Sequence, residues 1–258
     1  MKSGAFGQPR PVASVGRGER GLTPTGMLQF LFCRIMRLTD RKRQRFMSIE
    51  QAIIEGCAEL GIPLPEGACG RLSAYLTLLE RWNRAYNLTA VRAPEAMVVR
   101  HLLDSLSILP WLEGPRILDV GSGAGLPGIP LAVVRPDDRF WLLDSNGKRT
   151  RFLVQASAEL QLRNVSVVRV RVEDYRPEAL FDSVVSRAFA TLAELVADAG
   201  RLCAPDGRLL AMKGVFPDDE LARLPAGYSV VDVYPLRVPS LDAERHLVHL
   251  APATASRE

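Results

Sequence analysis

No apolar run in this 258-residue chain reaches the ~18 residues that a membrane-spanning helix needs. The nearest candidate, 28–38, is shorter and is broken by Arg34 and Arg37. Cysteine is sparse and scattered. Cys33, Cys57, Cys69 and Cys203 make no CxxC pair, which signals neither a zinc site nor a disulfide framework, and a reducing, cytosolic compartment is the simpler reading. Three histidines in the whole chain leave little for a metal centre, and none is expected. Between residues 47 and 250 there is no internal repeat and no low-complexity tract. With 47% hydrophobic and 24% charged residues, the composition is that of a globular chain with ample length for a full core.

Acid is scarce in one region only. Residues 1–46 hold ten Lys and Arg against Glu19 and Asp40, a net charge of +8, and the other 212 residues carry 23 basic and 27 acidic groups. The overall charge of +4 is therefore no argument for nucleic-acid binding, which only local clustering could supply. Rich in Gly, Pro and Arg and without a sustained period, residues 1–46 read as a disordered basic extension, or as sequence upstream of a true start at Met47. A transit-like leader or an RNA-gripping tail built on Arg41–Arg45 is the other reading.

From Ser48 the pattern turns helical. Ser48 and Gln51 fit a capping box, and Ile49, Ile53, Ile54, Cys57 and Leu60 form a stripe that Gly61 stops. Leu72, Tyr75, Leu76, Leu79 and Trp82 predict a second helix over about 67–84, and a third is expected over 94–109. Residues 47–112 thus read as a small helical cap, packed as one unit with the domain of residues 113–258.

In that domain strands and helices alternate. Strands are expected at 117–120, 140–143, 166–170, 183–186, 208–212, 229–234 and 245–250, with helices at 127–135, 147–161, 190–203 and 217–223. Such alternation predicts a Rossmann-like α/β fold with a parallel sheet covered by helices on both faces. The last two strands are joined without a helix, so they should pair antiparallel at one edge.

The most informative stretch joins the first strand to its helix: Asp119-Val-Gly-Ser-Gly-Ala-Gly-Leu-Pro-Gly128. Two frames compete for it. Read from Gly123, it matches the dinucleotide fingerprint G-x-G-x-x-G. Read from Asp119, it matches the D-x-G-x-G-x-G turn of S-adenosylmethionine enzymes. Apolar character ends at Val120, so the first turn glycine is Gly121 and the second frame fits better, with Gly123 inside the turn. Asp119 also suits a ligand bearing an ammonium and a sulfonium, and suits a pyrophosphate poorly. Asp144, ending the second strand, would accept from both ribose hydroxyls or would cap the next helix. Val172 and Glu173 follow the third strand, where the adenine would lie.

The fourth strand ends in Ser186-Arg-Ala-Phe189. The Asn/Asp-Pro-Pro-aromatic tetrapeptide of exocyclic-amine methyltransferases is missing there, and Cys203 lies at the far end of the following helix, which argues against covalent catalysis. What remains is an acceptor with its own lone pair, such as guanine N7, needing placement and no general base. Arg187 could donate to the O6/N7 face of guanine or hold the cofactor. Phe189 could stack a base or join the core. His101 is equally readable as a site residue and as a satisfied core histidine. Lys148, Arg149, Arg151, Arg163, Arg169, Arg171, Arg84, Arg92 and Arg100 are available for phosphate.

Trp82-Asn-Arg-Ala-Tyr-Asn-Leu-Thr89, Arg100-His-Leu-Leu-Asp-Ser105, the run 119–130, Leu143-Asp-Ser-Asn-Gly-Lys-Arg149, Val172-Glu173 and Ser186-Arg-Ala-Phe189 occur in the order seen in the RsmG (GidB) family, which residues 48–250 resemble. The resemblance implies a class I S-adenosylmethionine-dependent methyltransferase with a seven-stranded sheet, its last strand antiparallel. It implies transfer to N7 of a guanine in 16S ribosomal RNA, naked or in the small-subunit particle; a cytoplasmic protein is expected, and the sequence leaves the oligomeric state open with a monomer the simpler expectation. Cofactor contacts implied by the resemblance are Gly121, Leu126, Val172, Glu173 and Arg187; Leu126 is not reached from the residues alone. A class I methyltransferase of small molecules is the alternative.

Overall fold

In the computed structural model, which describes residues 49–187, 189 and 191–253, the first apolar stripe forms helix α1, described over 49–59. Ile49, Ile53 and Cys57 are buried, while Ile54 is exposed. The expected cap Ser48, Cys33 and every reading made for 1–46 lie outside the described residues. Gln51 donates to Glu55 Oε1, one turn on, at 2.7 Å. Helix α2 (Ala68–Tyr86) buries Leu72, Tyr75, Leu76 and Leu79. Each buried leucine contributes roughly 1.5–3 kcal/mol as an upper bound. The helix ends at Asn87 in the left-handed conformation. Helix α3 starts with Pro94 at its first turn (Pro94–Met97), passes through a π-helical segment, Val98–Leu103, and closes with Asp104–Leu106.

Seven strands follow: β1 (Arg116–Val120), β2 (Arg139–Leu143), β3 (Val165–Val168), β4 (Phe181–Ser186), β5 (Cys203–Lys213), β6 (Tyr228–Pro235) and β7 (His246–Pro252). Helices α4 (Gly128–Val134), α5 (Gly147–Glu159), α6 (Leu192–Ala199) and the short α7 (Asp218–Leu221) lie between them. The sheet order is β3-β2-β1-β4-β5-β7-β6. All pairs are parallel except those of β7 with β5 and β6.

The expected antiparallel pair of the last two strands lies at one edge of the sheet, with β7 beside β5 and β6 outermost. The residues explain why: Leu247 to Leu250 are all buried, which takes a strand on each side, whereas Ser229 to Asp232 are exposed and suit an edge. Strand β5 begins five residues earlier than expected, because Cys203 pairs with Phe181 across a register shift that absorbs the Pro-Asp-Gly stretch 205–207.

The period of two along each strand sorts the core into two layers. Ile117, Val185, Leu210 and Leu247 face the cap, α4 and α5. Leu118, Val184, Leu209 and Val248 face α6. Every residue of α4 is buried, as befits a helix with the sheet on one side and α2 and α3 on the other. Trp82 of α2 meets Phe152 of α5 edge-on at 5.6 Å, fastening the cap to the domain. No described helix is long and apolar enough to cross a membrane.

Candidate functional site

β1 ends where the backbone turns through three left-handed glycines, Gly121, Gly123 and Gly125, at φ of 71°, 58° and 87°. Gly121 and Ser122 donate to the Leu143 carbonyl at 2.8 and 3.1 Å, so the turn hangs from the end of β2. Gly128 serves a different need. A Cβ there would lie 2.7 Å from Asp119 Oδ2, and that closeness lets the Gly128 N–H donate to the same oxygen at 2.9 Å.

Asp119 therefore borders neither of the two cavities described below. It shares the face of β1 with Ile117, is fully buried, and ties β1 to the first turn of α4 from beneath. Burial pushes its carboxyl up to about 7, against the pull of the Gly128 N–H and Ser122 and the field of Arg187. Its other oxygen, Oδ1, has no partner among the described residues. A buried acceptor left so is costly when charged, and the raised pKa keeps the group protonated over a wider range. From the cap, the fully buried Tyr75 reaches across to donate to the Ala124 carbonyl at 2.6 Å. The sequence places Tyr75 only in the apolar stripe of α2. Its hydroxyl was the available signal, since a buried tyrosine needs a polar partner.

Against the turn lies a cavity of about 240 Å³, walled by Gly121, Asp144, Arg149, Val172, Glu173 and Phe189. It opens at the carboxyl ends of β1, β2 and β3, beside the point where strand order reverses. Asp144 holds this corner. Its Oδ2 accepts from the Gly123 N–H at 3.0 Å and its Oδ1 from the Asn146 N–H at 2.8 Å. Capping α5 falls to Asn146, whose side chain accepts from Lys148 and Arg149. Val172 and Glu173 sit in a tight turn, Val172–Asp174, and Arg201, missed in the sequence, donates to both of their carbonyls. Leu126, buried in the core with its N–H on the Ser122 carbonyl, borders neither this cavity nor the next.

A second cavity, about 320 Å³, opens between α3 and the ends of β4, β5 and β7, and is lined by Arg100, His101, Asp104, Arg187, Lys213 and Arg245. Arg187 belongs here. Its Nη1 lies 3.2 Å from Asp104 Oδ2, and its charge is felt by the buried Asp119 and Tyr75. Lys213 is held by Glu220 at 2.8 Å. His101 is a satisfied histidine. Its Nδ1 faces the Arg100 carbonyl at 3.0 Å, so that nitrogen carries the proton and Nε2 accepts from Thr89 Oγ1 at 2.8 Å. Burial lowers its pKa to about 4, leaving it neutral. Cys203 pairs with Phe181 at the start of β4, opposite the rim, and burial raises its thiol to about 12. Among the described residues no cluster suits a metal ion.

The family model of rRNA small subunit methyltransferase G matches residues 68–248. The chain is 57% identical over 209 residues to "Ribosomal RNA small subunit methyltransferase G" of Nitrosococcus oceani, covering 81% of this chain and 98% of that protein. The protein of the same description from Alkalilimnicola ehrlichii is 54% identical over 208 residues, covering 80% and 94%. Among solved structures, the mitomycin 7-O-methyltransferase MmcR superposes with a TM-score of 0.53 at 14% identity, over 62% of this chain and 56% of that one. The glycopeptide N-methyltransferase MtfA, complexed with S-adenosyl-L-homocysteine, superposes at 0.52 and 11% identity, over 59% and 87%. At such identities these two speak for the fold alone.

Proposed function

The chain belongs to the rRNA small subunit methyltransferase G family, and on that premise we propose that it transfers the methyl group of S-adenosylmethionine to N7 of a guanine in 16S ribosomal RNA. The observation that carries the reading is the family match falling on a chain whose glycine turn forms one wall of an acid-lined cavity.

The residues suit the cofactor. The left-handed glycine turn walls the cavity with backbone at Gly121, and Asp144 offers a carboxylate at the end of β2. We assign the ribose to Asp144, the adenine to the Val172–Glu173 turn with Phe189 beside it, and the amino-acid end to the Gly121–Gly123 backbone above Asp119. The bound cofactor supplies an electrophilic methyl on a sulfonium, and the chain's task is to align the acceptor with it. To Arg187, in the second cavity, we assign the holding of either the guanine O6 face or the cofactor's carboxylate while the base is seated.

No side chain of the second cavity is free to take a proton. Both nitrogens of His101 are engaged, and Asp104 is ion-paired twice. An acceptor with its own lone pair asks for no base, which supports N7 over an exocyclic amine. We place the reaction in the cytoplasm, where ribosomal RNA is made and used in a bacterium.

The test is transfer of labelled methyl from S-adenosylmethionine to 16S ribosomal RNA and to small-subunit particles, followed by nucleoside digestion. Label in 7-methylguanosine is expected. Label in another nucleoside overturns the N7 assignment, and turnover of small molecules alone overturns the RNA substrate.

A further inference from the structure

Helix α3 departs from regular α-helical spacing for the six residues Val98–Leu103, immediately before Asp104. The Asp104 N–H bonds the Val99 carbonyl, five residues back, as well as that of His101. Single-turn π-helical segments inside α-helices are frequently found at functional sites. Here the segment leads into Asp104, only 4% exposed. Its Oδ2 meets Arg187 Nη1 at 3.2 Å and its Oδ1 meets Arg245 Nε at 2.8 Å.

The two arginines come from separate parts of the sheet. Arg187 follows β4 and Arg245 precedes β7, with β5 between them and Lys213 at its end. Two guanidinium groups drawn into one cavity repel each other, and a shared carboxylate offsets that repulsion and fixes both. Arg245 is also anchored through Nη1 to the Glu244 carbonyl at 2.7 Å, and Arg187 through Nη1 to the Arg100 carbonyl at 3.4 Å. Each guanidinium has five N–H donors, so most of them remain for an anion in the cavity.

We propose that Asp104 is a positioning residue: it sets Arg187 and Arg245 as a paired receptor for one phosphodiester of the RNA, next to the methyl-transfer site. The proposal rests on the RNA reading above and adds the site and the residue that shapes it. Fork-shaped donors match phosphate oxygens in pairs, and they do so only when held in a fixed orientation. A free guanidinium on a flexible stem contributes charge without that geometry.

Asp104→Asn separates orientation from charge. Removing an anion makes the cavity more positive. If Asp104 acted only as a charge, the variant would bind RNA more tightly and its KM for RNA would fall. A positioning residue gives the opposite sign. We expect the KM for 16S RNA or small-subunit particles to rise roughly tenfold or more, with a shallower dependence of log KM on log salt because phosphate contacts are lost. The dissociation constant for S-adenosylmethionine should stay within about twofold, and Asp104→Glu should recover part of the loss. Arg245→Lys keeps the charge and loses the Nε contact, so it should raise the same KM and keeps the test decisive if Asp104→Asn does not fold. A lower or unchanged KM for RNA in both variants overturns the proposal. So does a weakened cofactor with unchanged RNA KM, which would assign the arginines to the cofactor's carboxylate. Wild-type protein that transfers no methyl to RNA would instead overturn the function on which the inference rests.

Discussion

Asp119→Asn, studied without cofactor, isolates the most unusual group in the molecule. Asp119 is 0% exposed, and its carboxyl is raised from 3.8 to about 7 by burial. Between these values the folded chain keeps the proton and the unfolded chain has released it. Stability therefore falls as pH rises through that window, and the full penalty stands above pH 7. Some three pH units correspond to on the order of 4 kcal/mol as an upper limit. For a unit of this size, about 2–4 °C per kcal/mol translates that into roughly 8–16 °C of melting temperature. An asparagine still accepts from the Gly128 N–H but has no proton to lose, so this part of the slope should vanish. Its amide group, facing the position of the unpartnered Oδ1, lowers stability by a pH-independent amount, and only the slope is diagnostic. The assay is thermal unfolding of both proteins from pH 4 to 8, where the difference between the two curves cancels every other titrating group. Parallel curves would refute the account of Asp119 as a buried carboxylate beneath the turn.

Three further substitutions probe the turn and its supports. Tyr75→Phe removes the donor to a buried carbonyl at 2.6 Å and should cost about 1–3 kcal/mol, read as a lower melting temperature with weaker cofactor binding; an unchanged melting temperature would mean the contact contributes nothing. Gly121→Val puts a β-branched residue at φ 71°, a strain of roughly 1–3 kcal/mol, and calorimetry should find cofactor affinity lost; retained affinity would mean the turn is misassigned. Asp144→Ala frees the N–H groups of Gly123 and Asn146 and should raise the cofactor dissociation constant roughly tenfold to a hundredfold, with fluorescence titration as the check and a change under twofold as the refuting result.

What was legible in the sequence follows the range of the physics. Strand positions, helix α2 and the frame of the glycine turn depend on periods of 2 and 3.6 and on glycines a few residues apart, so they could be read from short windows. The antiparallel pair of the last two strands follows from their connection without a helix, and which of the two lies outermost is legible from the contrast between the unbroken buried run Leu247–Leu250 and the exposed valines of β6. The start of β5 was hidden because Pro205 and Gly207 look like a turn until the strand pairing with Phe181 is known.

The site shows the same limit more sharply, in its three buried aspartates. From the chain alone Asp119 and Asp144 read as ligand-facing acids, and Asp104 as one letter of a motif. In the structure all three hold something of the protein's own: a helix N-terminus, the glycine turn, and a pair of arginines. The partners of Asp104 lie 83 and 141 positions away, and Tyr75 reaches the turn across 49. Such separations leave no periodic trace. A buried carboxylate nonetheless has to be paired, so an aspartate within an apolar stretch can be read as a demand for a distant donor even when the donor cannot be named. Applied to Arg100-His-Leu-Leu-Asp104, that rule asks for a cation from outside the helix, and the chain's arginines at strand ends, Arg187 and Arg245, are where a parallel sheet would deliver one. The cap then does more than cover the core: through Tyr75 it fixes the turn beside the first cavity, and through Asp104 it fixes the cations of the second, so a single helical layer sets both halves of the site against each other.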